Sequence, residues 1–274
     1  MIDLHMHTTA SDGRATPAML VDDLVAAGIT TCAVTDHDTT ASIDAVTALA
    51  SPYGIRVIPG IEITAVANDE DVHMLGYGFD PHHQGLVAFL EAQRSDRRRR
   101  LDEMNARLTS LGVPVDLEGM IAAHRTNGGR ALGRPLLAAA LLQAGHVVSM
   151  NEAFERFLGS GRPAFIARRG ASPADVVALV HAAGGIVSIA HPAKLKRDAL
   201  IEPLAAAGLD AIEAFHPDHD FNATLHYRQR AARLGLAVTG GSDFHGRDAG
   251  RVNAMGKVTL PLDEFARLSE RFQL

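Results

Sequence analysis

Two stretches at opposite ends of the 274-residue chain, MIDLHMHTTASDG and TGGSDFHG, carry histidine and aspartate at strand-like positions. Histidines that alternate with one apolar residue on a β-run point to the same face, so His5 and His7 lie side by side as a metal-ligand pair. Further polar residues end other strand-like runs: Asp12, Asp36, His37, Asp38, Glu62, His73, His191, Glu213, Asp243 and His245. Imidazoles and carboxylates without a cysteine partner suit two or three divalent ions such as Mn²⁺, Zn²⁺ or Fe²⁺. Adjacent ions need a bridging carboxylate, and Glu62 in PGIEIT is the candidate. Such ions produce hydroxide near neutral pH and clamp the oxygens of an in-line displacement at phosphorus. Taken singly, His73 fits a satisfied histidine and TDHD fits a turn with helix-capping aspartates. Six histidines gathered at strand ends together with carboxylates fit a site.

The elements that must position these residues alternate in type. MIDLH, TPAMLVDDLVAAG, TTCAVTDHD, SIDAVTALA, IRVIPGIEIT and DVHMLGYGF read as strand, helix, strand, helix, strand and strand-like run, which predicts parallel strands with helical crossovers. The polar residues then gather at the carboxyl edge, where connecting loops converge on ligands. From Leu86 to Phe157 the pattern changes to long helical stretches, and the alternation resumes with IVSIAHP, LDAIEAFHP and LAVTGGSDFHG. The expected organisation is a discontinuous barrel, residues 1–85 plus 165–274, with residues 86–164 as a helical insertion forming a substrate-binding cap.

A net charge of −6 argues against a broad nucleic-acid surface and leaves room for a local basic pocket, so any RNA partner is expected to be very short. The arginines of RSDRRRR can pair along a helix with Glu91, Asp96, Asp102 and Glu103, as a solvated face does. The single Cys32 permits no disulfide framework and fits a buried position in a reducing compartment. With no leader and no apolar run of ~18 residues, the expectation is a cytoplasmic protein without membrane association. No obligate protein partner is inferred.

In order, DLHMHTTASDG, TDHDT, PGIE, VHMLGY, AHP and GSDFHG resemble the motifs of the PHP (polymerase and histidinol phosphatase) superfamily, over residues 1 to about 80 and about 165 to 250. The resemblance implies an α/β protein, a distorted (β/α)7 barrel with a helical insertion, holding two or three metals for phosphoester hydrolysis. It implies that His5, His7, Glu62 and Asp243 bind one ion, with Glu62 bridging to a second held by His73 and His191. Asp12, where many members have histidine, His37 and His245 would hold a third. Asp36 and Asp38 would assist catalysis by orienting ligating imidazoles. Mn²⁺ is the foremost candidate, with Zn²⁺, Fe²⁺ and Mg²⁺ as the other fits.

The segment GGRALGRPLLAAALLQAGHV followed by FLGSGRPAFI resembles the small stand-alone branch acting on nucleotides, which includes 3′,5′-nucleoside bisphosphate phosphatases and 5′-to-3′ exoribonucleases. Arg130 and Arg134 flank a helix start with Pro135 in its first turn, a site where guanidinium forks and free N–H groups converge on one anion. They are expected to hold one phosphate of a small nucleotide, with Asn127, Lys194 and His216 as further substrate contacts. Lys194 would neutralise the reacting phosphate, and His216 would protonate the departing ribose oxygen. The expected reaction removes the 3′-phosphate from a substrate such as 3′-phosphoadenosine 5′-phosphate. The rival readings are an exoribonuclease on short 5′-phosphorylated RNA, an amidohydrolase on the same metals, and a non-catalytic metal-binding module.

Overall fold

The computed structural model describes residues 1–126, 133–247 and 255–274. They form two compact units, one of residues 1–90 with 170–274 and one of residues 91–169. The first contains a seven-stranded sheet whose order follows the chain: β1 (Ile2–Asp3), β2 (Thr31–Val34), β3 (Arg56–Ala67), β4 (Glu70–Tyr77), β5 (Ile186–Ile189), β6 (Ala211–Phe215) and β7 (Ala237–Gly240). The Leu4 N–H donates to Gly240 O at 3.2 Å and the His7 N–H to Phe244 O at 2.8 Å, so the ends of the sheet meet in a nearly closed barrel.

The helices, in chain order, are α1 (Pro17–Ala27), α2 (Ile43–Ala50), α3 (Gln84–Ser110), α4 (Leu117–Thr126), α5 (Arg134–Gln143), α6 (Met150–Ala153), α7 (Pro173–Ala182), α8 (Pro192–Leu195), α9 (Ile201–Ala206), α10 (Phe221–Leu234) and α11 (Leu262–Phe272). Side chains begin the crossover helices. Thr16 caps α1 with Pro17 at its first position, Ser172 and Asp175 form a reciprocal capping box on α7, and Asp220 accepts the Ala223 N–H at the start of α10.

One sequence expectation fails between β3 and β4. The two strands are joined by Asn68 and Asp69 alone, both left-handed at φ 52° and 62°, and Ala67 pairs with Glu70. Two consecutive left-handed residues make a tight hairpin turn. Strand β4 therefore runs antiparallel to both β3 and β5, against the expectation of parallel strands. Its ligand candidate His73 lies midway along the reversed strand, beside Glu62 of β3.

The barrel core draws on every strand, with Ile61, Ile63, Met74, Val187, Ile189 and Ile212 fully buried among its members. Leu86 and Leu90 pack into the same cluster. The first turns of α3 thus belong to the barrel unit, which runs to Leu90. The helical unit has its own core, including Leu101, Met104, Leu108, Leu137, Leu141 and Leu158. On α3, Arg98 pairs with Asp102 and Glu118, and Arg99 with Asp96 and Glu103, all on an exposed or half-exposed face. Arg100 differs: it is buried and donates from Nε to Ile166 O at 2.7 Å. Cys32 is buried in β2, and burial first, with Asp3 nearby, pushes its thiol up to about 12. Among the described residues no helix is long and apolar enough to cross a membrane.

Candidate metal centre and active site

The extended chain continuing β1 carries His5 and His7, both fully buried, with ring centroids 5.2 Å apart. Glu62 sits in β3, where the His37 backbone bridges to it, and its side chain is buried. Its two oxygens face different imidazoles. Oε1 lies 2.7 Å from His73 Nδ1 and 3.1 Å from His191 Nε2. Oε2 lies 3.3 Å from His5 Nε2, 3.2 Å from His7 Nε2 and 3.3 Å from His37 Nδ1. Asp243 divides its oxygens likewise. Oδ1 faces His5 Nε2 and His7 Nε2 at 3.4 and 3.3 Å, while Oδ2 lies 3.2 Å from both His216 Nε2 and Lys194 Nζ.

The donor set fits divalent cations. His7 Nε2, His37 Nδ1 and His73 Nδ1 are buried and stand 2.7–3.3 Å from carboxylate oxygens without making a hydrogen bond, as atoms sharing a cation do. Four groups gather ligand atoms closely enough for one ion each: His7, Asp12, His37 and His245; His5, His216 and Asp243; His5, Glu62 and His191; and His37, Glu62 and His73. His7 joins Asp12, His37 and His245 here, and His37 joins Glu62 and His73, so the side chains mix across the three sets expected from the resemblance.

Supporting hydrogen bonds select which nitrogen each imidazole presents. His5 Nδ1 is 2.8 Å from Glu213 Oε1, which leaves Nε2 for Glu62 and Asp243. His245 Nδ1 meets the Asp243 backbone oxygen at 2.7 Å, leaving Nε2 toward Asp12. His216 is the exception: its Nδ1 accepts the Asp218 N–H at 3.0 Å, so the ring proton resides on Nε2, beside Asp243. A nitrogen that carries the proton has no lone pair for a metal. His216 is thereby suited to donating a proton rather than to ligation, although its position would allow either.

Charge is concentrated here. Burial opposes the cationic form of His5, yet Glu213, Glu62 and Asp243 raise its pKa well above the ordinary value. Burial likewise opposes His7, which Asp243, Glu62 and Asp12 raise to about 10. For His37 and His191 burial prevails and lowers them to about 3 and about 4. Burial would raise Glu62 and Asp243, but the surrounding imidazoles hold both well below the carboxylate range. The buried carboxylates thus call for positive charge at the positions His5 and His7 face.

Three site residues, Asp38, His191 and Asp243, have left-handed backbones, at φ 49°, 27° and 48°. Such strain in non-glycine residues costs about 1–3 kcal/mol each and persists where the surroundings enforce it. For His191 one brace is Glu213 Oε2, which accepts its N–H at 2.7 Å. Close packing fixes His5 too, since a Cβ on Gly241 would lie 2.4 Å from the His5 nitrogen.

The expectation for Asp36 is overturned. Its oxygens accept the Thr8 N–H and the hydroxyls of Thr8, Ser11 and Ser42, so it braces the loop after His7 and, among the described residues, orients no imidazole. Asp38 accepts the Thr64 N–H at 2.8 Å. Glu213, which the sequence offers among the polar residues ending strand-like runs, is bonded to the His5 imidazole and is placed to orient it. Asp218, which sequence reasoning missed, contacts Lys194 Nζ at 2.8 Å and fixes His216; its only signal was the run of polar residues in HPDHD. In the helical unit Arg134 begins α5, with its guanidinium 5.9 Å from the Phe154 ring centroid and 5.6 Å from that of Phe165. Asn127 and Arg130 lie outside the described residues.

Comparison with known proteins gives this constellation a lineage. The PHP domain family matches residues 3–158. The chain belongs to the PHP domain family. It is 31% identical to a 3′,5′-nucleoside bisphosphate phosphatase of Chromobacterium violaceum, over 95% of this chain and 94% of the relative. It is 35% identical to a 5′-3′ exoribonuclease of Haemophilus influenzae, over 89% of each. A solved structure from Bifidobacterium adolescentis, titled a metal-dependent phosphoesterase, superposes with a TM-score of 0.83 at 33% identity, covering 98% of this chain and 96% of that one. This PHP chain is a hydrolase of the phosphoesterase type, with a side-chain set that fits divalent metals.

Proposed function

We propose that the protein removes the 3′-phosphate from 3′,5′-nucleoside bisphosphates, releasing the 5′-monophosphate. The observation that carries the reading is Glu62, a buried carboxylate with its two oxygens turned to separate imidazole sets, as a bridge between two cations requires. His5, His7, Glu62 and Asp243 would hold one ion, His73 and His191 a second with Glu62, and Asp12, His37 and His245 a third. Bound divalent ions supply Lewis acidity toward phosphoryl oxygens and lower the pKa of water. Mn²⁺ suits a set of imidazoles and carboxylates without thiolate, though affinity order alone would favour Zn²⁺.

The chain's own groups divide the remaining work. His216 holds a proton on Nε2 and delivers it to the departing ribose O3′. Lys194, 3.2 Å from Asp243, offsets charge on the reacting phosphoryl group. Asp38 is assigned a supporting part through the β3 backbone it binds at Thr64. Arg134, with Arg130 and Asn127, is assigned the phosphate that is not cleaved, from residue type and the helix start. The insertion is accordingly assigned the role of a substrate-binding cap.

The exoribonuclease reading uses the same chemistry. Releasing a 5′-nucleotide from 5′-phosphorylated RNA also breaks a P–O3′ bond, and differs only in that the reacting phosphorus carries a second nucleoside. Its support is the relative bearing that name. The Mn²⁺-supplemented protein should be given 3′-phosphoadenosine 5′-phosphate, AMP and a 5′-phosphorylated trinucleotide. Phosphate release from the bisphosphate far faster than from AMP supports the reading. Mononucleotide release from the trinucleotide with little bisphosphate turnover favours the exonuclease, and turnover of none removes both.

A further inference from the structure

The first residue of α10, Phe221, follows the His216–Asp220 loop directly and is 80% exposed. One turn on, Leu225 is 40% exposed on the same helix face. That face continues through Arg228 and Ala232 into a cleft of about 470 Å³ between α10 and α11. Leu225, Leu236 and Val238 supply apolar surface there, while Arg228, Arg267 and Arg271 supply guanidinium groups.

The arginines are held in position. Arg228 uses Nε and Nη2 on Glu264 Oε1, at 3.1 and 2.7 Å, and lies over the Phe215 ring, next in sequence to His216. Arg267 reaches Glu264 Oε2 at 3.2 Å and Asp263 at 3.5 Å, and Arg271 donates to Gly235 O at 2.7 Å. Three guanidiniums thus meet two carboxylates, and Glu264 is buried. From Phe221 to Ala232 the helix extends ~16 Å. Exposed aromatic surface leading into a guanidinium-lined groove matches what single-stranded nucleic acid requires, a stacking surface for bases and cations for phosphates.

We propose that the outer face of α10 with the α10–α11 cleft is a track for single-stranded RNA beyond the reacting phosphate, with one base stacked on Phe221 and downstream phosphates on Arg228, Arg267 and Arg271. The inference rests on the nucleotide reading of the site and favours its oligoribonucleotide form. The track lies wholly within the barrel unit.

Binding of 5′-phosphorylated, 3′-fluorescein-labelled oligoribonucleotides of two to eight residues would be followed by anisotropy, alongside bisphosphate hydrolysis. Wild-type affinity should rise at least about fivefold from two to six nucleotides. Phe221→Ala and the double variant Arg267→Gln/Arg271→Gln should each lose most of that gain, with the double variant also flattening the salt dependence. A wild-type affinity independent of length, or variants that weaken all lengths equally, overturns the track. So does dimerisation through this face, read by light scattering as a change of mass in Phe221→Ala. Bisphosphate turnover without oligoribonucleotide binding overturns the track and leaves the nucleotide reading standing. Failure of both binding and turnover overturns the two together.

Discussion

His5 Nδ1 stands 2.8 Å from Glu213 Oε1, and this bond decides that Nε2 of His5 faces Glu62 and Asp243. The other oxygen of Glu213 holds the His191 N–H at 2.7 Å. A single buried carboxylate therefore braces two candidate ligands that lie far apart in the chain. Glu213→Ala should reduce metal affinity about 10–100-fold, the usual effect of removing a group that orients a ligand. It should also destabilise the fold by roughly 1–3 kcal/mol through the unpaired groups left buried. Competition against a chromogenic chelator and thermal unfolding measure the two effects, and an unchanged affinity would exclude the orienting role.

Metal uptake should release protons near neutral pH. Burial opposes His5 and His7 carrying charge, but the carboxylates around them raise both, His7 to about 10, while ligation requires a bare nitrogen. Chelator-treated protein should therefore draw stability from protonated His7, fully present below the ordinary imidazole value of ~6.5 and lost as pH rises toward about 10. His37 and His191, lowered by burial to about 3 and about 4, act oppositely and reduce stability as pH falls below ~6.5. Calorimetric Mn²⁺ titrations at pH 7.5 in buffers of different ionisation heat should give a net release of at least one proton. Buffer-independent heats would mean that His5 and His7 are already neutral.

The legible and illegible parts of this molecule separate on physical grounds. His5 and His7 were legible because alternation on a strand fixes a shared face, and Glu62 because a carboxylate interrupts an apolar strand. The direction of β4 was not, since VHMLGY has the same alternation whichever way it runs. Its orientation was set by the left-handed pair Asn68–Asp69, which reverses the chain within two residues. The role of Asp36 was hidden because two of its hydroxyl partners, Thr8 and Ser11, lie 28 and 25 residues away. Glu213 could be seen only as a polar residue in AIEAF, because its partner His5 is 208 positions distant.

The proton on His216 Nε2 makes a prediction about the leaving group. His216→Asn should lower kcat about 10²–10⁴-fold for a ribose phosphate, whose departing alkoxide needs protonation. Hydrolysis of p-nitrophenyl phosphate should fall far less, because nitrophenolate departs without help. Equal losses on the two substrates would mean that His216 instead supports Asp243, 3.2 Å away.

Asp12 governs how many ions the site can hold. It is 44% exposed, whereas Glu62 and Asp243 are buried, and it faces His245 Nε2 at 3.3 Å and His37 Nε2 at 3.8 Å. His37 also presents Nδ1 to Glu62 at 3.3 Å. A neutral imidazole has one lone pair, so His37 can serve the Asp12 group or the Glu62 group but not both. The Asp12 group should thus be the weakest of the sites. Asp12→Ala should lower the stoichiometry by one ion and leave the ions at Glu62 in place, whereas Glu62→Gln should disturb more than one. Elemental analysis after dialysis against limiting metal measures both variants. If Asp12→Ala retains the wild-type metal content, the Asp12 group holds no ion of its own, and its carboxylate serves only to balance charge on His7, His37 and His245.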